Sequence, residues 1–167
     1  PDDSMAQRMH NKMGKSEMWY IIDAKPGAYL YAGFKEHLTK EEYYKRIADG
    51  TICDALARHE VHTGDVFYLP AGRVHAIGNG ILLAEVQQSS DITYRIYDYD
   101  RQDINGEKRE LHTELAAEAL NFEVLSEYRT LYADDTQRAN PCINSPFFSV
   151  RIVDIEGPFH RNLKKYG

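Results

Sequence analysis

Gly64-Asp65-Val66-Phe67-Tyr68-Leu69-Pro70-Ala71-Gly72-Arg73-Val74-His75-Ala76-Ile77-Gly78-Asn79 decides the fold of this chain. Gly64 and Asp65 make a tight turn, and Val66 to Leu69 reads as a strand with apolar residues facing inward. Pro70 and Gly72 then bend the backbone sharply. His75 follows on the next short strand, its ring expected to face the interior. A neutral imidazole so placed is a good ligand for Zn or Fe. Gly78-Asn79-Gly80 is a hairpin-type turn signal.

The same texture extends on both sides. Met18 to Ile22 and Ala28 to Ala32 read as strands around the turn Lys25-Pro26-Gly27. Ile81 to Gln88 and Ile92 to Asp98 read as two strands around Ser89-Ser90-Asp91. Short strands at this regular spacing predict a mainly β domain, a sandwich or barrel. Two helices interrupt it. Thr39-Lys40-Glu41-Glu42 is a capping box, followed by Tyr43, Ile47 and Ala48 at helical spacing, with Gly50 ending the helix. Thr51 to Ala57 reads as a second short helix. Thr113 to Leu120 is helical, Asp103 to Gly106 a polar turn, 133–146 a loop, and Phe147 to Ile155 a final strand. Residues 1–16 read as a loop or short helix.

Composition narrows the function classes. Of 167 residues, 11% are aromatic, which suits a β-rich core. The formal net charge is -6, so the chain has no general attraction for nucleic acid or anionic membrane. No apolar run approaches the roughly 20 residues of a membrane span, and no signal peptide opens the chain. Cys53 and Cys142 sit in no paired pattern, which points to a reducing, cytoplasmic setting. Any phosphorylated ligand must be held by a few placed Lys and Arg.

Glu17 stands in step with Trp19 and Ile21 at period two, so it is expected to share their inward face. Lys15 reads either as a surface cation or as a pocket residue. A hairpin over 85–95 centred on Ser90 would set Glu85 directly opposite Arg95. The other histidines, His10, His37, His59, His62, His112 and His160, read as ordinary hydrogen-bonded core or surface residues.

The stretch from Gly64 to Asn79 matches the second sequence motif of the cupin superfamily at every fixed position. Three segments then resemble the cupin, zinc-dependent class of mannose-6-phosphate isomerases in its short bacterial form: Gly14-Lys15-Ser16-Glu17-Met18-Trp19-Tyr20, Leu69 to Ala76, and Glu85 to Tyr99. Arg109-Glu110-Leu111-His112 is similar to a further segment of the bacterial branch. The resemblance covers nearly all of residues 1–125. It implies a cupin jelly-roll barrel with a small helical insertion and a C-terminal helix. Residues 1–125 would be the cupin core, with the insertion near 39–57, and 126–167 the start of an incomplete C-terminal β region.

The resemblance also implies roles. Glu17 and His75 would be ligands of one divalent metal, Zn, and Arg95 the catalytic arginine. Lys15 would contact substrate and Glu85 transfer a proton, although either could serve in the other role. The substrate would be a small hexose phosphate. The family's first metal motif is Gln-x-His followed by Pro-Asp-Asp, and this chain starts at Pro1-Asp2-Asp3. The chain is therefore expected to be cut at both ends and to supply two of about three protein ligands. Two rival readings remain open: a metal cupin dioxygenase, and a non-catalytic hexose-phosphate-binding cupin domain.

Overall fold

In chain order the computed structural model contains α1 (Asp3–His10), β1 (Glu17–Ala24), β2 (Tyr29–Phe34), α2 (Lys40–Ala48), a 3-10 turn (Ile52–Ala55), β3 (Leu56–Glu60), β4 (Val66–Leu69), β5 (His75–Ile77), β6 (Ile81–Gln87), α3 (Thr113–Ala119), β7 (Asn140–Asn144) and β8 (Ser149–Ile152). It describes residues 1–98, 101–102 and 104–160. Asp103 of the expected polar turn, Tyr99 of the third resembling segment, and residues 161–167 of the C-terminal region lie outside the described residues. The chain divides into two compact units, Pro1–Arg129 and Thr130–Gly167.

The first unit is built on two antiparallel three-stranded sheets, in the orders β4-β1-β6 and β3-β2-β5. In the first sheet Trp19 pairs with Phe67 on one side and Glu85 on the other, and Ile21 pairs with Leu83. Opposite residues share a face, so Trp19, Ile21, Phe67, Leu69 and Leu83 converge. They meet Leu30 and Ala32 from the second sheet in one apolar core. Ile21, Leu30 and Phe67 are fully buried, and each such burial stabilises by roughly 1.5–3 kcal/mol.

A second core lies under the helices, where Phe34, Tyr43, Ile52 and Leu56 meet Val74, Ala116 and Ala117. The capping box forms as the sequence predicts: Thr39 accepts from Glu42 N, and Glu42 accepts from Thr39 N. Tyr43 Oη donates to Thr113 O at 3.2 Å, tying α2 to the start of α3. No helix among the described residues is long and apolar enough to cross a membrane.

Four expectations are corrected. Thr51 to Ala57 is not a second α-helix, because a 3-10 turn ends at Ala55 and Leu56 opens β3. Gly78-Asn79-Gly80 does not close a hairpin: β5 pairs with β2 and β6 with β1, so this turn hands the chain from one sheet to the other. Ile92 to Asp98 belongs to no strand. Its alternating Tyr94 and Ile96 pack against the second core instead of extending the ladder beside β6. In the second unit, 133–146 is not all loop: Asn140–Asn144 is β7, paired antiparallel with β8 across a register shift at Pro141. That proline and the flanking asparagines mask the strand, since they depress β propensity.

Candidate active site

Lys15 is positioned before β1 begins. Gly14 N donates to Asp3 Oδ1 at 2.7 Å, and Lys15 N donates to Pro1 O at 3.1 Å. Gly14 is required there, because a Cβ would come within 2.6 Å of the Asp2 and Asp3 backbone. Ser16 N donates to buried Gln88 at 2.7 Å, and Ala71 N donates to Ser16 Oγ at 3.2 Å. The start of β1 is thus fixed to the end of β6 and to the Pro70-Ala71-Gly72 corner.

Glu17 is the first residue of β1 and only 1% exposed. His75 is the first residue of β5 and pairs with Ala32, whose side chain is in the core. The two come from different sheets, yet His75 Nε2 lies 3.0 Å from Glu17 Oε1. His75 Nδ1 lies 2.8 Å from Arg73 O. A carbonyl only accepts, so Nδ1 carries the proton that fixes this tautomer. Nε2 and a carboxylate oxygen then face each other as two electron donors, and a cation, either a proton or a metal ion, must lie between them.

The other Glu17 oxygen is also incomplete. Lys15 Nζ lies 2.8 Å from buried Oε2 as an ion pair, and no well-formed hydrogen bond reaches that oxygen. Burial pushes the Glu17 carboxyl up; the His75 and Lys15 contacts outweigh it and hold the group below the usual carboxylate range. Trp19 meets His75 edge-on at a centroid distance of 5.1 Å, limiting the swing of the imidazole.

Lys15, His75, Arg73, Tyr94 and Arg95 line one cavity of about 280 Å³, whose other wall is Ile52, Leu56, Ala116 and Leu120. Gly72, also on the wall, has φ +88°, and a Cβ there would lie 2.5 Å from Ala119 O. Asn121 N donates to Gly72 O at 2.9 Å. Only glycine lets the corner before His75 seat against the end of α3. Arg73 Nη1 donates to Tyr68 O, and Arg95 Nη1 donates to Glu110 O at 3.3 Å.

Of the residues singled out in the sequence, Lys15, His75 and Arg95 line this cavity, and Glu17, outside its lining, contacts Lys15 and His75. Glu85 does not join them as expected. It pairs with Trp19 rather than with Arg95, and its Oε2 accepts from Trp19 Nε1 at 2.8 Å. It is exposed and outside the cavity lining. Because 92–98 leaves the sheet, the hairpin that would have faced Glu85 to Arg95 never forms. Arg73 and Tyr94 were missed as wall residues, although both lie inside quoted segments. His112 is more than an ordinary histidine, for its Nδ1 accepts from Arg95 N at 3.2 Å. Among the described residues no third His, Cys, Asp or Glu joins the Glu17–His75 pair.

No family model matches the chain. It is 40% identical over 161 residues to a mannose-6-phosphate isomerase of Streptococcus mutans, covering 94% of this chain and 50% of that protein. It is also 40% identical over 160 residues to the mannose-6-phosphate isomerase ManA of Bacillus subtilis, with the same coverage. The chain spans about half the length of the curated relatives it matches. The crystal structure of a mannose 6-phosphate isomerase from Bacillus subtilis superposes with a TM-score of 0.81 at 36% identity, over 90% of this chain and 49% of that one. A putative mannosephosphate isomerase from Archaeoglobus fulgidus shares the fold, with a TM-score of 0.62 at 22% identity over 85% of this chain and 44% of that one. The fold is therefore mainly β and of cupin type.

Proposed function

We propose that this chain carries the catalytic centre of a zinc-dependent mannose-6-phosphate isomerase, interconverting mannose 6-phosphate and fructose 6-phosphate. The observation that carries the reading is the Lys15–Glu17–His75 cluster, whose Lys15 and His75 line the cavity that Arg95 also lines, with Glu17 buried behind them. Relatives named for that activity align across the whole region.

Glu17 and His75 fit a divalent metal as two of its ligands. A carboxylate and an imidazole suit Zn, His75 Nε2 and Glu17 Oε1 converge at 3.0 Å, and buried Glu17 Oε2 has the Lys15 charge beside it but no well-formed hydrogen bond. When bound, the metal supplies Lewis acidity toward the sugar oxygens.

The chain's own residues account for the rest. Aldose–ketose isomerisation moves a proton from the carbon beside the carbonyl to its neighbour through an enediolate. Arg95 places a permanent positive charge on the cavity wall, where it stabilises that developing negative charge. Lys15 lines the cavity with Nζ 2.8 Å from Glu17 Oε2 and is the group that the geometry favours for holding the sugar; to take the carbon proton, Nζ would first have to pass one of its own protons to an acceptor such as Glu17. Glu85 would enter the chemistry only by leaving Trp19. Lys15, Arg73 and Arg95 supply the local positive charge that a phosphate needs in a chain of net charge -6.

The test is a coupled assay following fructose 6-phosphate formation with Zn²⁺ present. Turnover that disappears in His75→Ala and Arg95→Ala supports the reading. Hexose phosphate binding without turnover would instead assign a sensing domain, and bound Fe with oxygen consumption a dioxygenase.

A further inference from the structure

We infer that the strap Arg109–His112, acting with Asp98, is the device that positions Arg95 at the cavity wall. The inference rests on the reading of Arg95 as the charge-stabilising residue. It gives a task to Arg109-Glu110-Leu111-His112, a segment the proposed chemistry leaves unused.

Arg95 sits in 92–98, which belongs to no strand, so no sheet ladder orders it. An arginine on such a segment would lose its aim, because its side chain carries about 2 kcal/mol of rotamer entropy. The strap takes the ladder's place. The chain doubles back through an antiparallel bridge between Gln102 and Lys108, which brings 109–112 alongside 95–98. His112 N donates to Arg95 O at 2.7 Å, and His112 Nδ1 accepts from Arg95 N at 3.2 Å, so one residue holds both backbone groups of Arg95. Glu110 O accepts from Arg95 Nη1 at 3.3 Å.

Asp98 completes the arrangement. Its Oδ2 accepts from Arg109 Nε at 2.8 Å, and its Oδ1 accepts from Arg109 Nη2 at 2.5 Å. This two-bond fork stops the carboxylate from rotating. Oδ1, the oxygen Arg109 holds, also lies 4.0 Å from Arg95 Nε. Asp98 is 9% exposed, whereas the Arg109 side chain is 52% exposed. Neither belongs to an apolar core. With its Arg109 side half exposed, the pair contributes only modestly to stability. What it does contribute is a fixed negative charge beside Arg95. The strap is itself anchored: His112 precedes α3, whose Thr113 O and Glu114 Oε2 accept from Tyr43 and Tyr44 of α2.

The experiment compares Arg109→Gln, Asp98→Asn and the double exchange Asp98→Arg/Arg109→Asp in the full chain. Isomerase kinetics, thermal melting and hydrogen exchange at the Arg95 Nε–H, followed by NMR, are the readouts. Each single variant should lower kcat by about 10–100-fold, the size of loss seen when a hydrogen-bonded partner that orients a metal ligand is removed, with KM nearly unchanged and Arg95 Nε–H exchange accelerated. The double exchange restores the ion pair but puts no carboxylate beside Arg95. It should melt like the wild type and still turn over slowly. Wild-type kcat in the double exchange would make the pair merely structural and overturn the inference, as would unchanged Arg95 exchange in Arg109→Gln. If the wild type itself shows no isomerase turnover, the functional reading fails. The strap then stands or falls on the Arg95 exchange alone.

Discussion

His75 and Arg95 line one cavity, but opposite means hold them there. His75 opens a strand whose neighbour across the ladder, Ala32, is fully buried, and its ring is fixed by Arg73 O on one side and Trp19 on the other. Its position is inherited from two sheets and a core. Arg95 has no ladder and no strand, and its order comes from side chains and from one strap of chain. The first kind of support is written in apolar periodicity. The second is written in single polar residues, which mutation can remove without disturbing the fold.

That contrast can be broken by experiment. The largest effect is expected at the sheet-held pair. His75→Ala or Glu17→Gln should lower turnover by about a thousandfold, since a bound metal is worth several kcal/mol of charge stabilisation. The chain should still fold, and zinc titration by calorimetry should show the lost affinity. Retained zinc affinity would remove both residues from the ligand set. Next, Arg95→Ala should cost about 10²–10³ in kcat, the loss seen when one preorganised charge-stabilising donor is removed. Arg95→Lys should recover little, because an ammonium cannot reproduce the fork geometry. Full recovery would mean that bare charge suffices and the strap's precision is superfluous.

A third effect falls on stability rather than on rate. Gly72→Ala forces a Cβ to 2.5 Å from Ala119 O at φ +88°. Backbone strain of this kind costs on the order of 1–3 kcal/mol, read as a drop of several degrees in melting temperature. An unchanged melting temperature would show that the corner yields. The smallest effect concerns acid. The Arg109 hydrogen bond holds the Asp98 carboxyl below its ordinary value of 3.8. A depressed carboxyl contributes stability above that value and loses it as pH falls through the lower folded value. Asp98→Asn should therefore lower the urea midpoint slightly at pH 7, and the difference should vanish at the acid end of that window. A difference that persists there would mean that the Asp98 charge is not its source.

The same contrast explains what could be read from the sequence. Gly64 to His75, the period-two placement of Glu17, Trp19 and Ile21 and the Thr39–Glu42 capping box were legible because each pattern has one dominant physical cause. Ile92 to Asp98 alternates like a strand, yet it buries Tyr94 and Ile96 against the helices instead of pairing with β6. Alternation reports which side of a segment is apolar, not what lies beside it. Glu85 was misplaced for that reason. β7 was hidden by Pro141, and the part played by His112 by the commonness of lone histidines. The segment Arg109–His112 did stand out, but only as a resemblance, because its partners lie 11 to 17 residues away in a region without periodicity.

The pairing of Glu17 with His75 has a consequence beyond the reaction. These two residues belong to separate sheets, β4-β1-β6 and β3-β2-β5, and the turn at Gly78-Asn79-Gly80 sends neighbouring strands to opposite sides. An ion captured between them, as proposed, would be a rivet through both sheets, and its binding energy would be added to the cost of pulling them apart. Amide protons of Leu30 and of Ile21, which share no ladder, should then become harder to exchange together as zinc is added.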